Sequence, residues 1–225
     1  MGRPTQTGRP FEASGIGVGA LLAAPSFRSP ERVASDAAGH YLKGIILDKA
    51  QFWRLIEDAK KVSGGECEEQ VEFLGKVLAT MPPEEIVAFD RILDAFRDEA
   101  YRWDLWGAGQ LINGFCSDDG FLYFRCWLIA QGKTVYENAL ANPDSLADVV
   151  EPGFDNAECE ELLYVAGTAY EAITGQELPY FGTPQPDASG NYTVPEPAGP
   201  KPNVENVSTF YPHLWARDEA QNEEV

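Results

Sequence analysis

Histidine is nearly absent from this chain: His40 and His213 are the only two in 225 residues. The four cysteines, Cys67, Cys116, Cys126 and Cys159, form no CxxC pair. A zinc site therefore lacks ligands of the usual kinds and spacing, and no metal is expected. Nor does the chain hold a P-loop, a GxGxxG turn, an HExxH helix or a GxSxG elbow, so no cofactor is expected and no catalytic residue is assigned. A membrane span is missing as well. The longest candidate, Gly15–Ala24 (GIGVGALLAA), is half the roughly 20 residues a helix needs to cross a bilayer.

Basic residues are also missing over a long stretch. From Thr134 to Pro200 there are twelve acids and no Lys or Arg. The whole chain carries a formal charge of −19. Residues 1–44 are net +2, so the remainder holds −21. Such a body repels phosphate backbones and anionic lipid, which argues against nucleic-acid and membrane partners. It attracts a basic protein partner, chiefly through the association rate.

What is present is a globular composition, 44% apolar and 12% aromatic, in a chain long enough for one well-buried core. Residues 1–44 are rich in Gly, Pro, Ser, Ala and Arg without periodicity and read as a disordered leader. A helical domain is expected over 45–177, a Pro-rich linker over 178–204, and an aromatic tail over 205–225 that docks on the domain and ends in a disordered acidic tip. The cysteines are expected to be reduced and partly buried, since a large core needs no disulfide.

Local signals support helices throughout. Asp48 and Gln51 form a capping box ahead of Phe52, Leu55, Ile56 and Ala59, and Gly64-Gly65 is the stop. A second helix follows over Glu66–Thr80. Pro83 suits the first turn of a third, in which Ile86, Phe89, Leu93, Phe96 and Ala100 share a face. Tyr101–Asn113 and a segment capped by Ser117 supply two more. Thr134–Ala141 is short, and Asn156–Thr174 is read as one longer helix ending at Gly175. No period-2 stretch appears. The fold class is all-α, a compact single-domain helical bundle.

Tyr101–Gln131 is the segment that could carry chemistry. It holds three of the five tryptophans and unusual charge for an apolar region. On a helical wheel Arg102, Trp106, Gln110 and Asn113 form a stripe with Trp103 beside it. With Asp104, Asp118, Asp119 and Arg125 they are the ligand-binding candidates. Asp118 and Asp119 also sit where the helix dipole favours acids. Arg125 lies in a helix apolar all round and must find a carboxylate or carbonyls. Asp104, Asp118 or Asp119 is the natural carboxylate.

FWRLIEDA, PPEEIVAFDRILD, AYRWDLWGAGQLINGFCSDDGFLYFRCWLIAQG and the tail YPHLWA together resemble the bacterial domain of unknown function family numbered 4240. The resemblance covers about Ile45 to Ala216. It implies a bacterial, mostly helical, cytoplasmic protein and carries no catalytic residue across. The functional expectation is a non-catalytic interaction or regulatory module with an acidic surface. The alternatives are a small-ligand binder or enzyme built on the polar-aromatic stripe and, more weakly, an immunity-type protein neutralising a basic toxin.

Overall fold

The computed structural model describes residues 47–151, 153–179, 195–203 and 205–223. The expected leader and most of the Pro-rich stretch lie outside the described residues. Among the described residues nine α-helices form: α1 Lys49–Ser63, α2 Cys67–Leu78, α3 Pro83–Glu99, α4 Trp103–Asn113, α5 Asp118–Ala130, α6 Lys133–Ala141, α7 Val165–Thr174, α8 Val207–Phe210 and α9 Pro212–Glu223. Two 3-10 helices, Pro143–Asp148 and Glu160–Leu163, join α6 to α7. The described residues contain no strand, only an isolated parallel bridge between Arg102 and Ala198. The fold is all-α, and no described helix is long and apolar enough to cross a membrane.

The boundaries follow from local chemistry. Asp48 and Gln51 close the capping box in both directions at 2.8 Å, and Gly64 ends α1 with φ at 68°, a conformation glycine adopts without steric cost. Pro83 opens α3, where its missing N–H costs nothing. Ser117 Oγ accepts the Gly120 N–H at 3.1 Å and starts α5.

α5 is the hub. It packs against α1, α2, α3, α4 and α6, which is why its sequence is apolar on every side. The core is thick with aromatic rings on the α1–α3–α6 side. Phe52, Trp53, Phe89, Phe96 and Tyr136 meet at centroid distances of 4.6–5.4 Å. Tyr136 donates its hydroxyl to the Phe96 carbonyl at 2.7 Å, a second donor to a carbonyl that also accepts the Ala100 N–H at 3.1 Å.

Two expectations are corrected. Asn156–Thr174 is not one helix: residues before Glu160 are non-helical. The Ala157 N–H donates to Asn113 Oδ1 at 2.8 Å and the Cys159 N–H to the Tyr123 carbonyl at 3.1 Å. These bonds to α4 and α5 replace helix bonds. Second, not all the thiols are free. Cys67, at the first turn of α2, forms a disulfide with Cys159 across 92 residues of sequence. The packing of α2 against the Glu160–Leu163 helix brings the two together, a proximity no spacing in the sequence announces. Cys116 and Cys126 remain free and buried.

Tyr211 and Leu214 are fully buried, each stabilising the docked state by roughly 1.5–3 kcal/mol.

Candidate functional site

α4 is positioned from both ends. Arg102 is its N-cap, in extended conformation. The Trp103 N–H, one of the amides a helix start leaves open, donates to the Ala198 carbonyl at 2.8 Å, while the Ala198 N–H donates to the Tyr101 carbonyl at 2.9 Å. Residues 195–203 thus return from far along the chain to lie against the start of α4.

Arg102 and Asp104 are spent on holding this corner together. The Arg102 guanidinium meets the Asp104 carboxylate through Nε at 3.0 Å and Nη2 at 2.5 Å, and donates Nη1 to the Leu140 carbonyl at 2.7 Å. The Asp104 side chain is only 8% exposed and also accepts the Leu105 N–H. The bidentate pairing fixes the guanidinium at the start of α4, and the bond from Nη1 to the Leu140 carbonyl ties that corner to the end of α6.

Trp103 and Trp106 stack at 5.2 Å with 15° between planes, and Trp106 stacks on Phe121 of α5 at 4.6 Å and 14°. Trp106 Nε1 donates to the Cys116 carbonyl at 2.9 Å. At the outer end of the stack, Lys201 Nζ stands 3.6 Å from the Trp103 ring centroid. Trp103, Trp106, Gln110, Lys201, Asn203 and Trp215 help to line a cleft of about 520 Å³. Gly107 sits in the same wall. A Cβ there would stand 2.4 Å from the Tyr211 hydroxyl and 3.2 Å from Pro202 Cγ, so glycine is what lets the tail and the returning segment close on α4.

The other candidates lie elsewhere. Asn113 Oδ1 holds Ala157, as above, away from the cleft. Asp118 and Asp119 are exposed in the first turn of α5. Arg125, 8% exposed, has taken carbonyls and aromatic faces instead of a carboxylate. It donates to the Phe121 carbonyl at 3.3 Å and the Arg97 carbonyl at 2.9 Å. Its guanidinium lies 4.8 Å from the Tyr101 ring and 5.0 Å from Phe121. The Arg97 carbonyl belongs to the open end of α3, so a cation there also meets the negative end of the helix dipole. The expected pairing with Asp104, Asp118 or Asp119 is therefore corrected.

Two further grooves lie among the described residues. One of about 590 Å³ is walled by Lys49, Arg54, Glu57, Glu99, Lys133 and Glu137 over Trp53, Phe96 and Tyr136; charges of both signs line it. The other, about 370 Å³, lies between α3 and α7 and contains Asp90, Asp94, Arg97 and Thr168. Burial, helped by the Asp94 charge and opposed by Arg97, pushes the Asp90 carboxyl up to about 6. Cys67, Cys159 and Glu161 could converge on an ion, but with both sulfurs in the disulfide only Glu161 remains an anionic donor. Burial pushes the Cys116 thiol up to about 12, with Glu158 adding to it and Arg125 opposing, the reverse of what a thiolate nucleophile needs.

The Trp-lined cleft therefore unites Trp103, Trp106 and Gln110 of the sequence candidates. Lys201, Asn203 and Val207 were not foreseen in it. The one available signal was Lys201 itself, the first cation after the long acidic run.

No curated protein and no solved structure matches the chain. The family model described as Protein of unknown function (DUF4240) matches residues 47–172, more than half of the 225, and spans α1 to all but the last two residues of α7. The chain belongs to that family.

Proposed function

We propose that this protein is a non-catalytic recognition module whose binding site is the cleft between α4 and the returning C-terminal segments. The observation that carries this reading is the cleft itself. It encloses about 520 Å³, within the roughly 300–1,000 Å³ of ligand sites, and combines three tryptophans with Gln110, Lys201 and Asn203. Tryptophan is the residue type most enriched where binding energy concentrates. The −21 body favours a basic protein as the partner, because opposite charge accelerates encounter.

Gln110 is exposed on α4 and Trp215 is partly exposed, so both can be truncated without opening the core. Tryptophan fluorescence of the full chain, titrated with a basic protein fraction and with a metabolite library, should report saturable binding that Gln110→Ala and Trp215→Ala weaken by tenfold or more together. Binding that is indifferent to both substitutions, or no saturable change with any ligand, would sink this reading.

A further inference from the structure

The outer face of Trp103 already holds a cation. Lys201 Nζ is 3.6 Å from the ring centroid, well inside the roughly 6 Å of an effective cation–π contact. Lys201 is exposed, and among the described residues no carboxylate pairs with its ammonium. The ring is electron-rich and braced from behind by Trp106 and Phe121. Trp215 lines the same cleft. The lysine is brought there by backbone bonds at Ala198 and by the Gly199 turn, φ 80°.

From this we infer that the outer face of Trp103 is a receptor site for a lysine ammonium of a basic partner protein, and that Lys201 is its resident occupant, displaced when the partner's lysine enters. The inference rests on the recognition reading above and names the group recognised. Three observations converge on lysine. An alkylammonium is the chemistry the ring face already holds. The stem of a lysine can lie along the apolar wall made by Leu111, Pro202 and Val207 while its head stays wet. The net charge of −21 outside the leader draws a basic segment rather than a neutral one. A solvent-exposed contact of this kind is weak, so an incoming lysine presented by a docked segment can replace the intramolecular one.

The test uses the full chain and a glycine–lysine repeat peptide, followed by tryptophan fluorescence and calorimetry at low salt. Wild-type protein should bind it. The same peptide acetylated on every lysine, which removes the charge, should not. Lys201→Ala removes the competitor and should bind roughly two- to fivefold tighter. Trp103→Leu, which takes the ring from both lysines, should bind roughly two- to fivefold weaker than Lys201→Ala, with circular dichroism checking its fold. Should Trp103→Leu not fold, the surface substitution Lys201→Ala decides alone: unchanged or weaker binding overturns the displacement.

Peptide binding that Gln110→Ala and Trp215→Ala weaken, but the Trp103 and Lys201 variants leave alone, would overturn the lysine site and keep the cleft. Binding indifferent to all four would overturn both. Tetramethylammonium binding as tightly as the peptide would replace the protein partner by a small cation and overturn that part of the assignment.

Discussion

Tyr211 donates its phenolic hydroxyl to the main-chain carbonyl of Asp104 at 2.5 Å, across 107 residues of sequence. Burial, reinforced by the Asp104 and Asp144 charges, raises the Tyr211 hydroxyl well above the usual tyrosine range, so it remains a donor at any physiological pH. This bond seats the tail on α4 and sets one wall of the cleft.

Gly107→Ala would put a methyl group 2.4 Å from that hydroxyl. Overpacking of this kind costs about 1–3 kcal/mol, and the ring cannot stay. The variant should keep its helical spectrum, lose protection of residues 211–217 in hydrogen exchange and bind in the cleft more weakly. Tyr211→Phe, which keeps the ring and drops the hydrogen bond, should cost about 0.5–1.5 kcal/mol and leave the tail docked.

Asp144 anchors the tail from the other side. It is 3% exposed and its carboxylate accepts the His213 N–H and Leu214 N–H, each at 3.0 Å, with His213 Nδ1 at 2.6 Å. It thus acts as an N-terminal cap for α9 supplied from another element. Asp144→Ala should cost about 1–2 kcal/mol and make the tail cleavable by dilute trypsin at Arg217 while the body survives.

Arg125→Met keeps the bulk and removes the bonds to the Phe121 and Arg97 carbonyls. We expect about 1–3 kcal/mol of destabilisation in urea unfolding, with cleft binding unchanged. A loss of binding at unchanged stability would place Arg125 in recognition instead.

Opening the Cys67–Cys159 bond should lower stability by about 2–4 kcal/mol, because it closes a long loop. Urea midpoints with and without a dithiol reductant measure this, and Cys67→Ser should be insensitive to reductant.

Asp90 sets a pH dependence. Its folded pKa is raised, from 3.8 to about 6, so between those values the folded state binds more protons than the unfolded chain. Stability from this group is therefore greatest below pH 4 and falls as pH rises to about 6. Asp90→Asn removes that fall. Relative to wild type, the variant should gain stability from pH 4 to 7 in denaturant titrations, and an equal difference at both ends would refute the assignment.

Helices with strong punctuation were legible in the sequence. The capping box at Asp48, Gly64, Pro83, Ser117 and Gly175 each mark an end in the structure, because their signals act within a few residues. The hub role of α5 followed from its lack of a polar face. The segment before Glu160 was misread because its donors bond to Asn113 and Tyr123, long-range partners that outweigh local spacing. The disulfide was missed for the same reason. At the site, the wheel put Trp106 and Gln110 on one stripe with Trp103 beside it, but a wheel knows one helix only. It could not show that Arg102 and Asp104 neutralise each other, or that Lys201 would return to cap the stack.

The bond between Cys67 and Cys159 turns residues 67–159 into a covalent ring that contains α4 and all of α5. A single protease cut anywhere inside that ring leaves one molecule, its two new ends still tied. A cut after Thr174 releases Lys201, Asn203 and Trp215 together. The two walls of the cleft therefore differ in durability: the one on α4 outlasts a nick, and the one from the C-terminal segments does not.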